Sequence, residues 1–195
     1  NGESIAGSSY VVFGTTATSA IELSAVAAGN GGFVINGQTT GDSSGRSVSS
    51  AGDVNGDGLA DLIIGADYAD PNGEDRAGSS YVVFGTTNTS AIELSAIAAG
   101  NGGFSINGES RYDFSGGSVS SAGDINGDGL ADLIVGAYYA SPNGERVAGS
   151  SYVVFGTTDT TAIELSAVAA GSGGFIINGQ TTGDHSGRSV SSAGD

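Results

Sequence analysis

The chain repeats itself every 71 residues. Tyr10-Val-Val-Phe-Gly14 returns as Tyr81–Gly85 and Tyr152–Gly156, and Gly32-Phe-Val-Ile-Asn-Gly37 returns as Gly103–Gly108 and Gly174–Gly179. Asn1-Gly-Glu, Asn72-Gly-Glu and Asn143-Gly-Glu open successive copies. Between residues 1–71 and 72–142, 56 of 71 positions are identical. Repeats this alike are units of one array, in which each unit buries its apolar surface against its neighbours.

Each unit offers four strand candidates separated by turn signals. In the first complete unit they are Gly45–Gly52, Asp61–Ala66, Gly78–Gly85 and Gly103–Gly108. The second contains Leu62-Ile-Ile, an apolar run that suits a strand covered on both faces. Ser90–Gly100 alone has helical character, with Ser or Thr to cap its start and Gly100 to end it, and predicts one or two turns. Four short strands per repeat, with glycine and aromatic residues at fixed offsets, point to an all-β fold of propeller blades, each of four antiparallel strands. The units are expected as follows: 1–40, the last two strands of a blade; 41–111 and 112–182, complete blades; 183–195, the first strand of another. A closed propeller needs at least four blades. The expectation is therefore a segment of a longer array, with assembly of several copies as the alternative; closed ring and open filament both remain open.

The most informative stretch inside the repeat is Asp53-Val-Asn-Gly-Asp-Gly-Leu-Ala-Asp61, which returns as Asp124–Asp132 and begins again at Asp195. Oxygen side chains stand at positions 1, 3, 5 and 9 (Asp53, Asn55, Asp57, Asp61; Asp124, Asn126, Asp128, Asp132). The position-7 carbonyl of Leu59 or Leu130 turns the same way. Ca²⁺ takes six to eight hard oxygen ligands in an adaptable shell, and such a loop supplies most of them. Gly58 permits a turn with positive φ. A solvated Asn-Gly/Asp-Gly hairpin is the plainer alternative, but three carboxylates in nine residues repel one another without a cation. An EF-hand is rejected: position 12 is Ile64 or Val135 rather than glutamate, and the flanks read as strands.

Ser44-Gly-Arg-Ser-Val-Ser-Ser-Ala-Gly-Asp-Val-Asn-Gly-Asp-Gly-Leu-Ala-Asp-Leu-Ile-Ile-Gly-Ala66 resembles the FG-GAP repeat of integrin α-subunit propellers, and bacterial surface proteins with this repeat look closer still. The resemblance implies a calcium loop between the first and second strands of a blade. Its ligands would be Asp53, Asn55, Asp57, the Leu59 carbonyl and Asp61, then Asp124, Asn126, Asp128, the Leu130 carbonyl and Asp132, with Asp195 opening a third site. The chain departs from the family where Phe-Gly becomes Ser44-Gly45, Ser115-Gly116 and Ser186-Gly187, and where the closing Gly-Ala-Pro becomes Gly65-Ala66-Asp67 and Gly136-Ala137-Tyr138.

Five arginines, no lysine and 21 acidic residues leave a formal net charge of −16. That balance argues against nucleic acid, whose binding rests on neutralising phosphates, and against an anionic membrane surface. No apolar run approaches a membrane span. Without a leader-like segment or an initiator methionine, the chain reads as a mature or excised piece. Calcium loops of micromolar or weaker affinity fill best outside the cytosol, so an extracellular place is expected.

No catalytic arrangement emerges: there is no cysteine, one histidine (His185), no nucleophile elbow and no phosphate loop. Asp42, Asp113 and Asp184 recur just before the first strand, most simply as turn caps. Asp67, Asp70, Glu74 and Asp75 form an acidic cluster absent from the next copy, which reads as solvated surface. Tyr10, Tyr81 and Tyr152, with Phe13, Phe84 and Phe155, are assigned to packing between blades. Tyr68, Tyr112, Tyr138 and Tyr139 are the candidates for stacking a glycan ligand. The function expected is a non-enzymatic, calcium-binding structural or adhesive segment of a large extracellular bacterial protein, partnered by neighbouring repeats of the same or identical chains. The alternatives are an accessory module of a secreted enzyme and an integrin-like head that binds a protein ligand.

Overall fold

In the computed structural model, residues 6–193 are described; Asp195 and the Asn1-Gly-Glu opening lie outside them. The strands are β1 (Ser8–Val12), β2 (Gly32–Asn36), β3 (Ser47–Gly52), β4 (Asp61–Ala66), β5 (Ser79–Val83), β6 (Ile92–Glu93), β7 (Gly103–Asn107), β8 (Ser115–Gly123), β9 (Asp132–Ala137), β10 (Ser150–Val154), β11 (Ile163–Glu164) and β12 (Gly174–Asn178). Three short helices, α1 (Leu23–Ala27), α2 (Leu94–Ala98) and α3 (Leu165–Ala169), fall between the third and fourth strands of successive units. The fold is all-β, as expected, and its main sheets are four-stranded antiparallel units in the manner of propeller blades.

Two sheets run in chain order through antiparallel neighbours, β3-β4-β5-β7 and β8-β9-β10-β12; a third holds β1 and β2. One element was not expected. β6 joins β2, and β11 joins β7, as two-residue parallel strands from the following repeat. Glu93 Oε1 accepts from Asn36 Nδ2 at 2.7 Å, and Glu164 Oε1 accepts from Asn107 Nδ2 at 2.8 Å. Each helix begins directly after this glutamate, so its N-cap is Glu93 or Glu164 without a side-chain cap bond, not the predicted Ser or Thr. Gly100 ends α2 at φ +81°, and the Gly100 and Asn101 amides bond back to the Ile97 and Ala96 carbonyls.

The core lies between adjacent sheets rather than within one. Ile64, on one face of β4, joins Phe33, Ile35, Tyr81, Val83, Leu94 and Ile97. Ile63, on the other, joins Val82, Phe104, Ile106, Leu133, Val135, Tyr152 and Leu165. This is how an apolar strand is covered twice, and each fully buried isoleucine contributes about 1.5–3 kcal/mol. The predicted inter-blade role of the aromatics is seen at Tyr81 and Tyr152 and in part at Phe84, which packs against the core between the sheets, whereas Tyr10 is 40% exposed. Tyr81 and Tyr152 are buried and reach the preceding repeat, donating to Gln38 Oε1 (2.8 Å) and Glu109 Oε2 (2.9 Å). Phe13, Phe84 and Phe155 pack edge-on against Phe33, Phe104 and Phe175 of their own sheets, because a residue just past a strand end meets the start of the adjacent strand first.

The sheets approach closely enough to need glycine. A β-carbon on Gly65 would lie 2.0 Å from the Gly116 carbonyl oxygen, and Ser47 Oγ already donates to that oxygen at 2.7 Å. Gly65→Ala is expected to destabilise the protein by about 1–3 kcal/mol or more through overpacking, whereas Gly14→Ala, with nothing within 4 Å, should change stability by less than about 0.5 kcal/mol. Urea unfolding of both variants checks this; equal effects would contradict the close sheet contact.

Candidate metal centre

The loop between β3 and β4 is folded by its own acids. Asp53 Oδ1 accepts from the Gly56 and Asp57 amides at 2.8 and 3.0 Å, and Oδ2 accepts from the Gly58 amide at 2.9 Å. Asp57 Oδ1 accepts from the Leu59 amide (2.8 Å), Asn55 Oδ1 accepts from the Asp57 amide (2.9 Å), and Asn55 Nδ2 donates to Asp57 Oδ2 (3.0 Å). Gly56 and Gly58 take φ of +77° and +86°, so the tight turn uses two glycines rather than the predicted one. Asp61 opens β4 fully buried; Oδ2 accepts from the Val54 amide at 2.8 Å and Oδ1 from the Gly85 amide at 2.7 Å.

The second loop repeats the pattern. Asp124 takes the amides of Gly127, Asp128 and Gly129; Asp128 takes those of Leu130 and the Asn126 side chain; Asp132 takes those of Ile125, Asn126 and Gly156. The two loops also touch, since the Ala131 amide donates to the Asp53 carbonyl at 2.9 Å. Gly85 and Gly156, whose amides hold the ninth-position carboxylates, were not singled out from the sequence. Their only signal is the glycine that closes each Tyr-Val-Val-Phe-Gly run.

Charge in the first loop is unrelieved. Burial raises the Asp61 carboxyl above the ordinary range, the Gly85 and Val54 amides oppose it, and the charges of Asp57 and Asp53 push it further up. Three carboxylates, an amide oxygen and a peptide carbonyl are the donor set of a hard divalent cation, and the loop fits one in donor type. Among the described residues, however, no three Asp, Glu, His or Cys side chains are gathered closely enough to hold a metal ion. Asp61 is turned into the sheet with both oxygens on backbone amides, although a carboxylate has lone pairs beyond those two bonds.

The FG-GAP repeat family matches residues 44–83 and 115–154, and each match runs from at or just before the first strand, through the loop, to the end of the third strand. The chain carries FG-GAP repeats. It is similar to integrin alpha-PS2 of Drosophila melanogaster, 35% identical over 121 residues, which cover 59% of this chain and 8% of that protein. Integrin alpha pat-2 of Caenorhabditis briggsae is 34% identical over 100 residues (48% of this chain, 7% of that protein), and integrin alpha-3 of Cricetulus griseus 38% over 85 residues (44% and 7%). The chain spans less than a tenth of the length of these relatives.

At the other end of β4 and β9 the FG-GAP repeats gather aromatics from three units. Phe114 stands 5.4 Å from Tyr68, 6.4 Å from Tyr112, 5.8 Å from Tyr138 and 5.3 Å from Tyr139, ring to ring, and His185 is 5.2 Å from Tyr139. Arg76, Arg111 and Arg188 sit over Tyr68, Tyr112 and Tyr138. The predicted solvated acidic cluster is corrected at one member: Asp67 is fully buried, with Arg46 Nε 3.8 Å away. The equivalent pair in the next repeat is Gly117 and Tyr138, where the missing arginine side chain makes room for the ring.

Asp42 accepts from the Thr39 amide (3.2 Å) and Asp184 from the Thr181 amide (2.9 Å), the turn-cap role expected of them. Asp113 lines a cleft of about 390 Å³ with Glu109, Arg111 and Tyr152. Burial pushes its carboxyl up to about 7, and the Glu109 charge adds to the shift. Since the folded value lies above the unfolded value of 3.8, stability from this group is full below about pH 4 and is lost as pH rises to 7. Asp113→Asn is expected to remove that part of the pH slope, up to about 1.4 kcal/mol per pH unit. Urea unfolding at pH 4.5 and 7.5 measures it, and an unchanged slope in the variant would contradict the assignment.

Proposed function

We propose that these FG-GAP repeats form a calcium-stiffened, non-enzymatic structural or adhesive segment of an extracellular protein, arranged as two complete blades (41–111, 112–182) between partial ones (1–40, 183–195). The observation that carries this is the same donor set folded in the same way in both loops. Asp53, Asn55, Asp57, Asp61 and the Leu59 carbonyl would hold one Ca²⁺, and Asp124, Asn126, Asp128, Asp132 and the Leu130 carbonyl a second; Asp195 would begin a third. The bound ion would supply the positive charge that the acids of each loop lack. The loop glycines keep the turn tight, and Asp61 and Asp132 tie it to β4 and β9, so neutralising the loop would stiffen the junction between the first two strands. Contact between the loops through Ala131 and Asp53 would pass that stiffening to the neighbouring unit.

Similarity to integrin α-subunits supports the extracellular and repeat-packing parts of the proposal, and no described helix is long and apolar enough to cross a membrane. A second function, recognition of a protein or glycan, is favoured by the aromatic and arginine cluster, where Tyr112 and Tyr139 remain 41% and 42% exposed.

Titration calorimetry should count two Ca²⁺ per described chain, one after Asp53→Ala and none after Asp53→Ala with Asp124→Ala. Saturation at a hundred times the dissociation constant should add about 2.7 kcal/mol of stability per site, lost on adding EGTA. Heatless titrations and melting indifferent to EGTA would overturn calcium binding.

A further inference from the structure

The cleft that Asp113 lines has a counterpart one repeat earlier. Asp42, Ala69, Pro71, Ser79, Tyr81 and Asn107 border a cleft of about 580 Å³. The residues 71 positions on, Asp113, Ala140, Pro142, Ser150, Tyr152 and Asn178, border the one of about 390 Å³. Both volumes fall within the roughly 300–1,000 Å³ of small-ligand sites. The first cleft has the following repeat in place, which adds Ala162 to its lining. The second follows a blade whose four strands are all present. The same cleft forms in both settings, so it belongs to the junction between repeats.

The lining of the first cleft is polar although much of it is buried. Asp42 is 8% exposed, Ser79 3%, Tyr81 3% and Ser105 5%. Asp42 accepts from the Thr39 amide at 3.2 Å, and a carboxylate offers about four lone-pair sites in all. The Tyr81 hydroxyl donates to Gln38 Oε1 at 2.8 Å, which leaves the Gln38 amide nitrogen as a donor. Glu164 orients two asparagines: its Oε1 accepts from Asn107 Nδ2 at 2.8 Å and its Oε2 from Asn72 Nδ2 at 2.9 Å. Both amide oxygens keep their acceptor capacity. Ala69, Pro71, Ala98 and Ala162 supply the apolar part of the lining.

We propose that these repeated clefts bind a neutral glycan. A sugar hydroxyl both donates and accepts, and so answers a lining that mixes carboxylate, amide and hydroxyl groups. The C–H faces of the sugar ring suit the alanine and proline wall. An ammonium group, with donors alone, would leave the Gln38 amide nitrogen unanswered, and an anion would face Asp42 and Asp70. Each cleft on its own binds weakly, because its hydrogen bonds replace bonds to water. The 71-residue spacing suits a repeating polymer, which can occupy two clefts at once. The kind of ligand rests on the recognition reading given above, but the site is a different one. The first cleft shares only Tyr68 and Arg76 with the aromatic and arginine cluster.

Titration of the whole chain, followed amide by amide in ¹⁵N NMR spectra, tests it. The probes are neutral hexasaccharides of glucose, mannose and N-acetylglucosamine, with a heparin hexasaccharide as the anionic control. At least one neutral probe is expected to shift the amides of Ser79, Ser105 and Asn107, together with those of Ser150 and Asn178, and heparin neither set. Ser105→Ile fills the first cleft; the equivalent residues are Val34 and Ile176, so the strand accepts the change. It should weaken binding read at Ser79 and Asn107 about tenfold or more and leave the response of Ser150 and Asn178 unchanged. Asp42→Asn, which keeps an acceptor for the Thr39 amide, should do the same. Tyr139→Ala, in the cluster but outside both clefts, should alter neither response. Binding lost in Tyr139→Ala but kept in Ser105→Ile would overturn the cleft site and leave recognition by the cluster standing. No shift with any neutral probe, or equal shifts with heparin, would overturn the proposal.

Discussion

Asp61 and Asp132 are fully buried carboxylates, and each is kept in place by amides from two directions. One amide belongs to the loop just before the strand, the other to the glycine two residues past the end of the third strand. A buried carboxylate without such donors would be costly; with them it becomes the point where loop, second strand and third strand are held together. The arrangement explains why the loop is ordered although its other acids are partly or wholly exposed. It also explains why a cation there would matter beyond the loop, since charge placed at Asp53 and Asp57 acts on a group that anchors the sheet.

Packing between units rests on a different economy. The sheets meet through Gly65 and Gly116, and again through Gly136 and Gly187, where carbonyl oxygens occupy the space of absent β-carbons. Such contacts leave no room for variation, and both glycine positions are invariant among the copies in this chain. Variation collects instead at the end of β4 and β9 away from the loops. There the pair Arg46–Asp67 becomes Gly117–Tyr138, and position 43 changes from serine to Phe114 to His185. The constant backbone contacts at Gly65 and Gly136 thus lie directly beside the side chains that differ from unit to unit.

Much of this was legible in the sequence. The strand candidates fall within two residues of the observed strands, because glycine clusters bound them sharply, and Leu62-Ile-Ile announced a strand covered on both faces. Of the two turn-forming glycines of the nine-residue loop, Gly58 was legible and Gly56 was not. What escaped was made of pieces too short or too scattered to leave a period. Ile92–Glu93 is two residues long and pairs with a strand 57 residues away, so no alternation betrays it. The aromatic cluster draws on three repeats, and neighbours in sequence say nothing of it. Asp67 looked solvated because it falls among the acids Asp70, Glu74 and Asp75, of which the first two are exposed and the third half-buried; only the packing of Arg46 and Tyr138 shows otherwise.

The most direct measurement is amide hydrogen exchange followed with and without Ca²⁺. New protection is predicted at the amides of Gly56–Leu59 and Gly127–Leu130, and at Gly85 and Gly156, whose donors reach the same buried carboxylates. Exchange at these amides that is unaltered by calcium, while the strands remain protected, would contradict a calcium-stiffened repeat.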